Sequence, residues 1–289
     1  MLSKVLKDGR FREDRTGTGV YSTFGEQMRF NITDSFPLLT TKRVPFKGMV
    51  EELLWFLRGD TDANILKKRN VKIWNGNTSR EFLDERGLYD YPEGTLGPGY
   101  GWSMRFYNAP YSVEYSDTSN GTPTGGFDQI EYVLNLLKTD PTSRRIYMNY
   151  WNPSVLDKTA LVPCHVSFQF YTEVGEDSRT YLSGHLYQRS MDTFLGAPWN
   201  IASYSLLLYI IAEKCGFIPK DLVISTGDTH IYSNHTDQVK EQLSRAPRPF
   251  PKLILDSSIK TKEFSEITVD DFELLGYFPH STISAKMAV

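Results

Sequence analysis

The spacing of apolar residues changes character several times along the 289 positions. In "PFKGMVEELLWFLRGD" (45–60), Met49, Val50, Leu53, Leu54 and Leu57 recur at helical intervals, which predicts a helix that Gly59 can end. "FDQIEYVLNLLKTDP" (127–141) predicts a second helix, closed by Pro141. "IASYSLLLYIIAEKCGF" (201–217) is apolar on every side, so it predicts a central buried helix with Gly216 as its stop. "HTDQVKEQLSRAPRP" (235–249) predicts a fourth, closed by prolines. Runs rich in β-branched and aromatic residues lie between them, at 20–32, 144–151, 164–174, 179–190 and 252–256; these predict strands. "TEVGEDSRT" reads as a hairpin loop, and 108–126, dense in turn formers, as a surface loop.

Helices and strands mix without a regular βαβ alternation, which favours an α+β fold. There is no repeat, no low-complexity tail and no linker composition, so residues 1–289 are expected to form one domain. Hydrophobic residues make up 40% and charged residues 23%, an ordinary globular balance. A chain this long can bury a core without disulfides or a metal.

A net charge of −3 disfavours nucleic acid as a bulk partner, although a few clustered arginines could still hold one phosphorylated ligand. The start, "MLSKVLKDGRFRED", lacks the apolar stretch of a signal peptide. The longest apolar run, 201–212, falls short of the ~20 residues that span a bilayer. Two cysteines make no disulfide framework, and a reducing, cytoplasmic setting is expected. No GxGxxG or Walker pattern occurs in the right context. The five histidines and two cysteines show no ligand-pair spacing, so no metal is expected.

Cys164 is the candidate nucleophile. It sits between Pro163 and His165 at the head of a strand-like run. A buried structural cysteine is the competing reading, and it suits Cys215 in its apolar helix better. A useful thiolate needs cationic neighbours. "SRRIY" supplies Arg144 and Arg145, and "YQRSMD" supplies Arg189 beside Ser190. A guanidinium fork with an adjacent hydroxyl suits a phosphate.

The segments "DRTGTGVYSTFGEQMRFNI", "EELLWFLRGDTD", "LGPGYG", "SRRIYMNYWNP", "PCH", "LYQRSMDTFLGAPWNIASYSLL", "GDTHIYSNH", "RPFPKL" and "KMAV" occur in one order from about residue 10 to the end. With them the chain resembles the thymidylate synthases. That resemblance implies an α+β fold whose large twisted mixed sheet, flanked by long helices, pairs back to back in a homodimer. It implies a methyltransferase that makes dTMP from dUMP, with 5,10-methylenetetrahydrofolate as co-substrate and dihydrofolate as by-product.

The resemblance also assigns roles. Cys164 is the nucleophile at uracil C6. Glu52 organises water for proton transfers, Tyr100 serves removal of the C5 proton, and Asn200 reads the base. Arg15, Arg189 and Ser190 hold the phosphate, together with Arg144 and Arg145 from the other subunit. Gln188 belongs to the same nucleotide set, and His230 and Tyr232 bond the deoxyribose hydroxyl. Ile73, Trp74, Asp192, Leu195, Gly196, Trp199 and Ala288 meet the folate, and "KMAV" closes over both ligands. His165 is expected in the hydrogen-bond network around the nucleophile and not as its base.

The chain departs from the family pattern at Asn75, where Asp is usual, and at Trp199, where Phe is usual. Other departures are Ser103–Met104, Gly184–His185 and Val162. A hydroxymethylase of the same superfamily, adding water in place of hydride, would make 5-hydroxymethyl-dUMP and is the alternative. A catalytically silent homologue that binds RNA is a further alternative, disfavoured by the retained cysteine and arginines.

Overall fold

A computed structural model of the chain describes residues 1–288. The elements in order are α1 (Leu2–Asp8), β1 (Arg10–Arg12), β2 (Val20–Asn31), α2 (Phe46–Arg58), α3 (Ala63–Lys68), α4 (Arg80–Glu85), α5 (Tyr100–Arg105) and α6 (Gln129–Thr139). They continue with β3 (Tyr147–Asn149), β4 (His165–Val174), β5 (Thr180–Asp192), α7 (Gly196–Cys215), β6 (Ile218–Tyr232), α8 (Thr236–Ser244), β7 (Lys252–Leu255) and β8 (Phe272–Leu275).

A six-stranded sheet runs β1-β2-β6-β5-β4-β3. Its neighbours are antiparallel except β5 and β6, which pair in parallel. Parallel neighbours need a long crossover connection, and α7 supplies it. The expected α+β class and the mixed sheet flanked by helices are both present. The core lies where α2 and α7 meet the sheet, with Leu53, Leu54, Leu57, Ile201 and Leu208 among its buried side chains. Gly59 ends α2 in the left-handed region (φ 88°), and its N–H bonds back to the Phe56 and Trp55 carbonyls. That geometry suits a residue without a Cβ.

The structure departs from the sequence expectations in several elements. β6, between β2 and β5, was not expected from the sequence. Lys220, Asp221, Gly227 and Asp228 interrupt its apolar pattern, and Pro219 near its start is the position a strand tolerates. The strand exists because neighbours pair along both of its edges. α1, α3, α4, α5, β1 and β8 are too short to show a period. The run at 252–256 is a strand, β7, but it pairs only with β8 in a separate two-stranded sheet. α7 starts at Gly196, ahead of its apolar run, and β5 continues to Asp192.

These last two extensions position the site. The end of β5, Gln188–Asp192, leads through three residues into the start of α7, which carries Asn200 as its fifth residue. The Asp192 carboxylate shapes that turn by accepting from the Phe194 N–H at 2.9 Å and the Leu195 N–H at 3.3 Å. The parallel register sets Asp192 beside His230 and Ser190 beside Asp228. Among the described residues no helix is long and apolar enough to cross a membrane.

Candidate active site

A cavity of about 610 Å³ opens between α2, the end of β5, the start of α7 and the C-terminal segment. Cys164, Glu52, Tyr100, Gln188, Ser190, Asp192 and Asn200 line it, as do Ile73, Trp74, Leu195, Gly196 and Trp199. Elements distant in the chain therefore converge on one space.

Cys164 lies one residue before β4. Its N–H donates to the Tyr100 hydroxyl at 2.7 Å, and the same oxygen receives the His165 N–H at 3.4 Å. Arg189 straps the loop that carries the cysteine. Its Nε donates to the Pro163 carbonyl at 2.8 Å, its Nη2 to the Val162 carbonyl at 3.1 Å, and Nη2 lies 3.9 Å from the Cys164 Sγ. Burial pushes the Cys164 thiol up, and the Arg189 and Arg15 guanidiniums pull it down less strongly. The cations thus favour the thiolate but do not outweigh burial.

Glu52 is 6% exposed on α2. Its Oε1 accepts from the Trp74 indole N–H at 2.8 Å and its Oε2 from the Trp199 indole N–H at 2.5 Å. Burial pushes its carboxyl up to about 7 against the pull of both donors. Tyr100 is buried against Phe56, Trp74 and His165, and burial raises its phenol far above the ordinary range. His165 faces the Tyr204 hydroxyl across 3.0 Å at Nδ1, and burial lowers its imidazole to about 4 while Asn200 opposes the shift. Its neighbours are thus the Tyr204 hydroxyl and the Asn200 amide, within the network around the nucleophile.

Asn200 accepts from the Gln188 amide at 3.1 Å. Gln188 is buried, and its Oε1 has no partner among the described residues. His230 faces Asp228 across 2.8 Å, and its ring meets that of Tyr232 at 5.2 Å. These two residues and Arg15 stand outside the cavity lining. Arg15 lies in the turn between β1 and β2, with its guanidinium 5.7 Å from the Phe82 ring centroid. Its charge reaches both Cys164 and Tyr232. Arg144 and Arg145 are exposed just before β3 and do not line this chain's cavity.

The sequence reading missed Lys42, Asn77 and the breadth of the C-terminal contribution. Lys42 is buried, donates to the Phe194 carbonyl at 2.5 Å and sits 3.5 Å above that ring's centroid; burial lowers its ammonium to about 8. Thr282, Ile283, Ser284, Ala285 and Met287 line the cavity, whereas Ala288 does not. The position of Lys286–Met287 in the tail is tied by a contact between the Lys286 carbonyl and the His235 Nε2 at 2.8 Å. Val289, the last residue of "KMAV", lies outside the described residues. No group of three or more His, Cys, Asp or Glu able to hold a metal ion occurs among the described residues.

The family model described as Thymidylate synthase matches residues 1–289. The chain is 47% identical over 289 residues to the bifunctional dihydrofolate reductase-thymidylate synthase of Zea mays, covering 53% of that protein. It spans about half the length of several such bifunctional relatives. It is 49% identical over 288 residues to the thymidylate synthase of Human herpesvirus 8, covering 82% of it. It is 47% identical over 296 aligned positions to that of Saccharomyces cerevisiae, covering 95% of it. All of this chain is aligned in each comparison. On these matches, across its whole length, the chain belongs to the thymidylate synthase family.

Proposed function

We propose that residues 1–289 form one catalytic domain that converts dUMP to dTMP with 5,10-methylenetetrahydrofolate, releasing dihydrofolate. One observation carries the reading: a thiol 3.9 Å from a guanidinium, in a cavity that also holds an asparagine amide and a buried carboxyl. The names of two relatives that the chain covers to 82% and 95% support it.

The Cys164 sulfur adds to uracil C6. The C5–C6 π pair moves toward C5 and O4, which turns C5 into a nucleophilic enolate carbon. Charge gathers on O4, where the Asn200 amide is the donor. The Asn200 oxygen can accept a hydrogen bond from the N3–H, and the orphan Gln188 oxygen offers a further acceptor. Arg15, Arg189 and Ser190 hold the phosphate, and His230 and Tyr232 hold the deoxyribose hydroxyl.

Ile73, Trp74, Leu195, Gly196 and Trp199 form the folate wall, with Asp192 as its polar contact and Ala288 in the tail. An apolar wall beside one carboxylate suits a flat heterocycle with ring N–H donors. When bound there, 5,10-methylenetetrahydrofolate supplies the one-carbon unit and the hydride. A Glu52 carboxyl near 7 gains and loses a proton readily at neutral pH, as a relay through water requires. Tyr100, whose hydroxyl accepts from the Cys164 N–H, serves removal of the C5 proton. Departure of the sulfur from C6 restores the double bond.

The deciding experiment is mass analysis of the nucleotide formed from dUMP and 5,10-methylenetetrahydrofolate. We expect dTMP, with one dihydrofolate per nucleotide. If 5-hydroxymethyl-dUMP were the main product, with tetrahydrofolate left unoxidised, the hydroxymethylase reading would replace this one. Base choice gives a second check. Asn200→Asp should lower the dUMP:dCMP ratio of kcat/KM by roughly 10²-fold or more, since mismatched partners leave buried polar groups unpaired. An unchanged ratio would remove Asn200 as the base reader.

The partner is a second copy of this chain. The sheet leaves Phe24 83%, Tyr171 63% and Tyr187 41% exposed, aromatic area that back-to-back sheet packing would bury. Arg144 and Arg145, exposed and away from their own cavity, are free to reach the partner's phosphate site. Two free thiols suit a reducing cytoplasm.

A further inference from the structure

Glu52 has two hydrogen-bond donors among the described residues, and both are indoles. Trp74 takes one carboxylate oxygen and Trp199 the other. The seat of Trp199 is built on the same face of α2. Gly48 lies one helical turn before Glu52, and a Cβ placed there would stand 3.3 Å from the Trp199 Cη2. The far edge of the indole therefore lies over the bare Gly48 backbone while its N–H reaches Glu52. Positions i and i+4 of one helix thus hold the two ends of a single ring. A phenyl ring could occupy the space but has no N–H to donate.

We propose that Trp199 is a positioning residue for Glu52. Together with Trp74 it clamps the carboxylate from both sides, fixes its orientation in the cavity, and favours its ionised form. The idea rests on the proposed reaction only for its catalytic consequence; the clamp itself is a property of the free protein. Burial drives Glu52 toward the neutral acid, and the indole N–H groups oppose it. A hydrogen bond to a carboxylate is stronger than one to its neutral form. Losing the Trp199 donor should therefore move the titration of Glu52 upward.

Other titratable and charged groups surround it. Lys42 and Arg43 precede α2, Tyr100 comes from α5, Cys164 and His165 from the head of β4, and Asp192 from the end of β5; all line the same cavity. Tyr204 on α7 feels the Glu52 charge. None of them donates a hydrogen bond to the carboxylate, so the two indoles are its only direct partners among the described residues.

The test is a pH titration of the Glu52 side-chain carbon by NMR in protein labelled with 13C-glutamate. The resonance is assigned by its loss in Glu52→Gln, and no ligand is added. Trp199→Phe should raise the midpoint by about one to two units, the scale of one charge-assisted hydrogen bond. Gly48→Ala keeps the N–H but crowds the ring, and should move the midpoint the same way by less. In the pH profile of kcat, the limb belonging to Glu52 should move with the NMR midpoint, while KM for dUMP stays within about twofold, because the nucleotide's own contacts remain. A midpoint unchanged in both variants would overturn the clamp. Since the titration needs no turnover, that outcome leaves the product analysis unaffected, and an unexpected product would leave the clamp standing.

Discussion

Replacing Cys164 with serine should lower kcat by roughly 10⁴-fold or more, the scale seen when a covalent nucleophile is removed. dUMP binding should hardly change. The side chains proposed to hold the phosphate, sugar and base all lie on other residues, and the substitution exchanges one small atom. The Arg189 strap on the Val162 and Pro163 carbonyls and the Tyr100 contact with the Cys164 N–H are made to backbone, so the loop should keep its shape. A serine hydroxyl lacks the nucleophilicity of a thiolate, and the neighbouring imidazole is too weak a base to activate it, since burial lowers His165 to about 4. Rapid quench and calorimetry together check this. Turnover within tenfold of the parent would remove Cys164 from the mechanism.

The second large effect concerns two arginines that their own cavity does not use. Arg144→Ala with Arg145→Ala should abolish most activity, and so should Cys164→Ala. Mixing the two inactive proteins under conditions of subunit exchange should restore it. In each mixed dimer one site would combine an intact cysteine with the partner's intact arginines. Random pairing at equal amounts then gives about a quarter of the parental activity, from half the dimers carrying one working site of two. Native mass spectrometry would establish exchange. No recovery despite proven exchange would place the arginine pair in its own subunit's site or outside catalysis.

Much of the site was legible because it clusters in the sequence. "YQRSMDTFLGAPWN" contains the end of β5, the Asp192 turn and the first turn of α7, so one local segment carries residues of both the proposed nucleotide set and the proposed folate set. Glu52 was less legible. On spacing alone it is an acid beside Leu53 and could equally face water. Its burial depends on Trp74 and Trp199, which arrive from 22 and 147 residues away. Lys42 escaped notice for the same reason, since a Lys–Arg pair before a helix carries no local sign that Phe194 will cover the lysine. β6 shows the limit in the fold itself. Its charged and glycine positions mask a strand whose existence depends on edges supplied by β2 and β5.

The place of β6 in the sheet also sets the order in which the molecule can be made. β2 pairs with it from Val20↔Tyr232 to Asn31↔Asp221, so the strand that completes β2's ladder is encoded about two hundred residues later. At ribosomal speeds of ~5–20 residues per second, β2 waits roughly 10–40 s for that partner. β5 is also open along one edge until α7 has crossed and β6 has emerged. Both edges are therefore exposed during synthesis, when open strands are most prone to wrong pairing. Contacts so distant in sequence make for slow folding. On this chain, the cost of building one site from both ends of the polypeptide falls on the nascent protein, before any substrate is met.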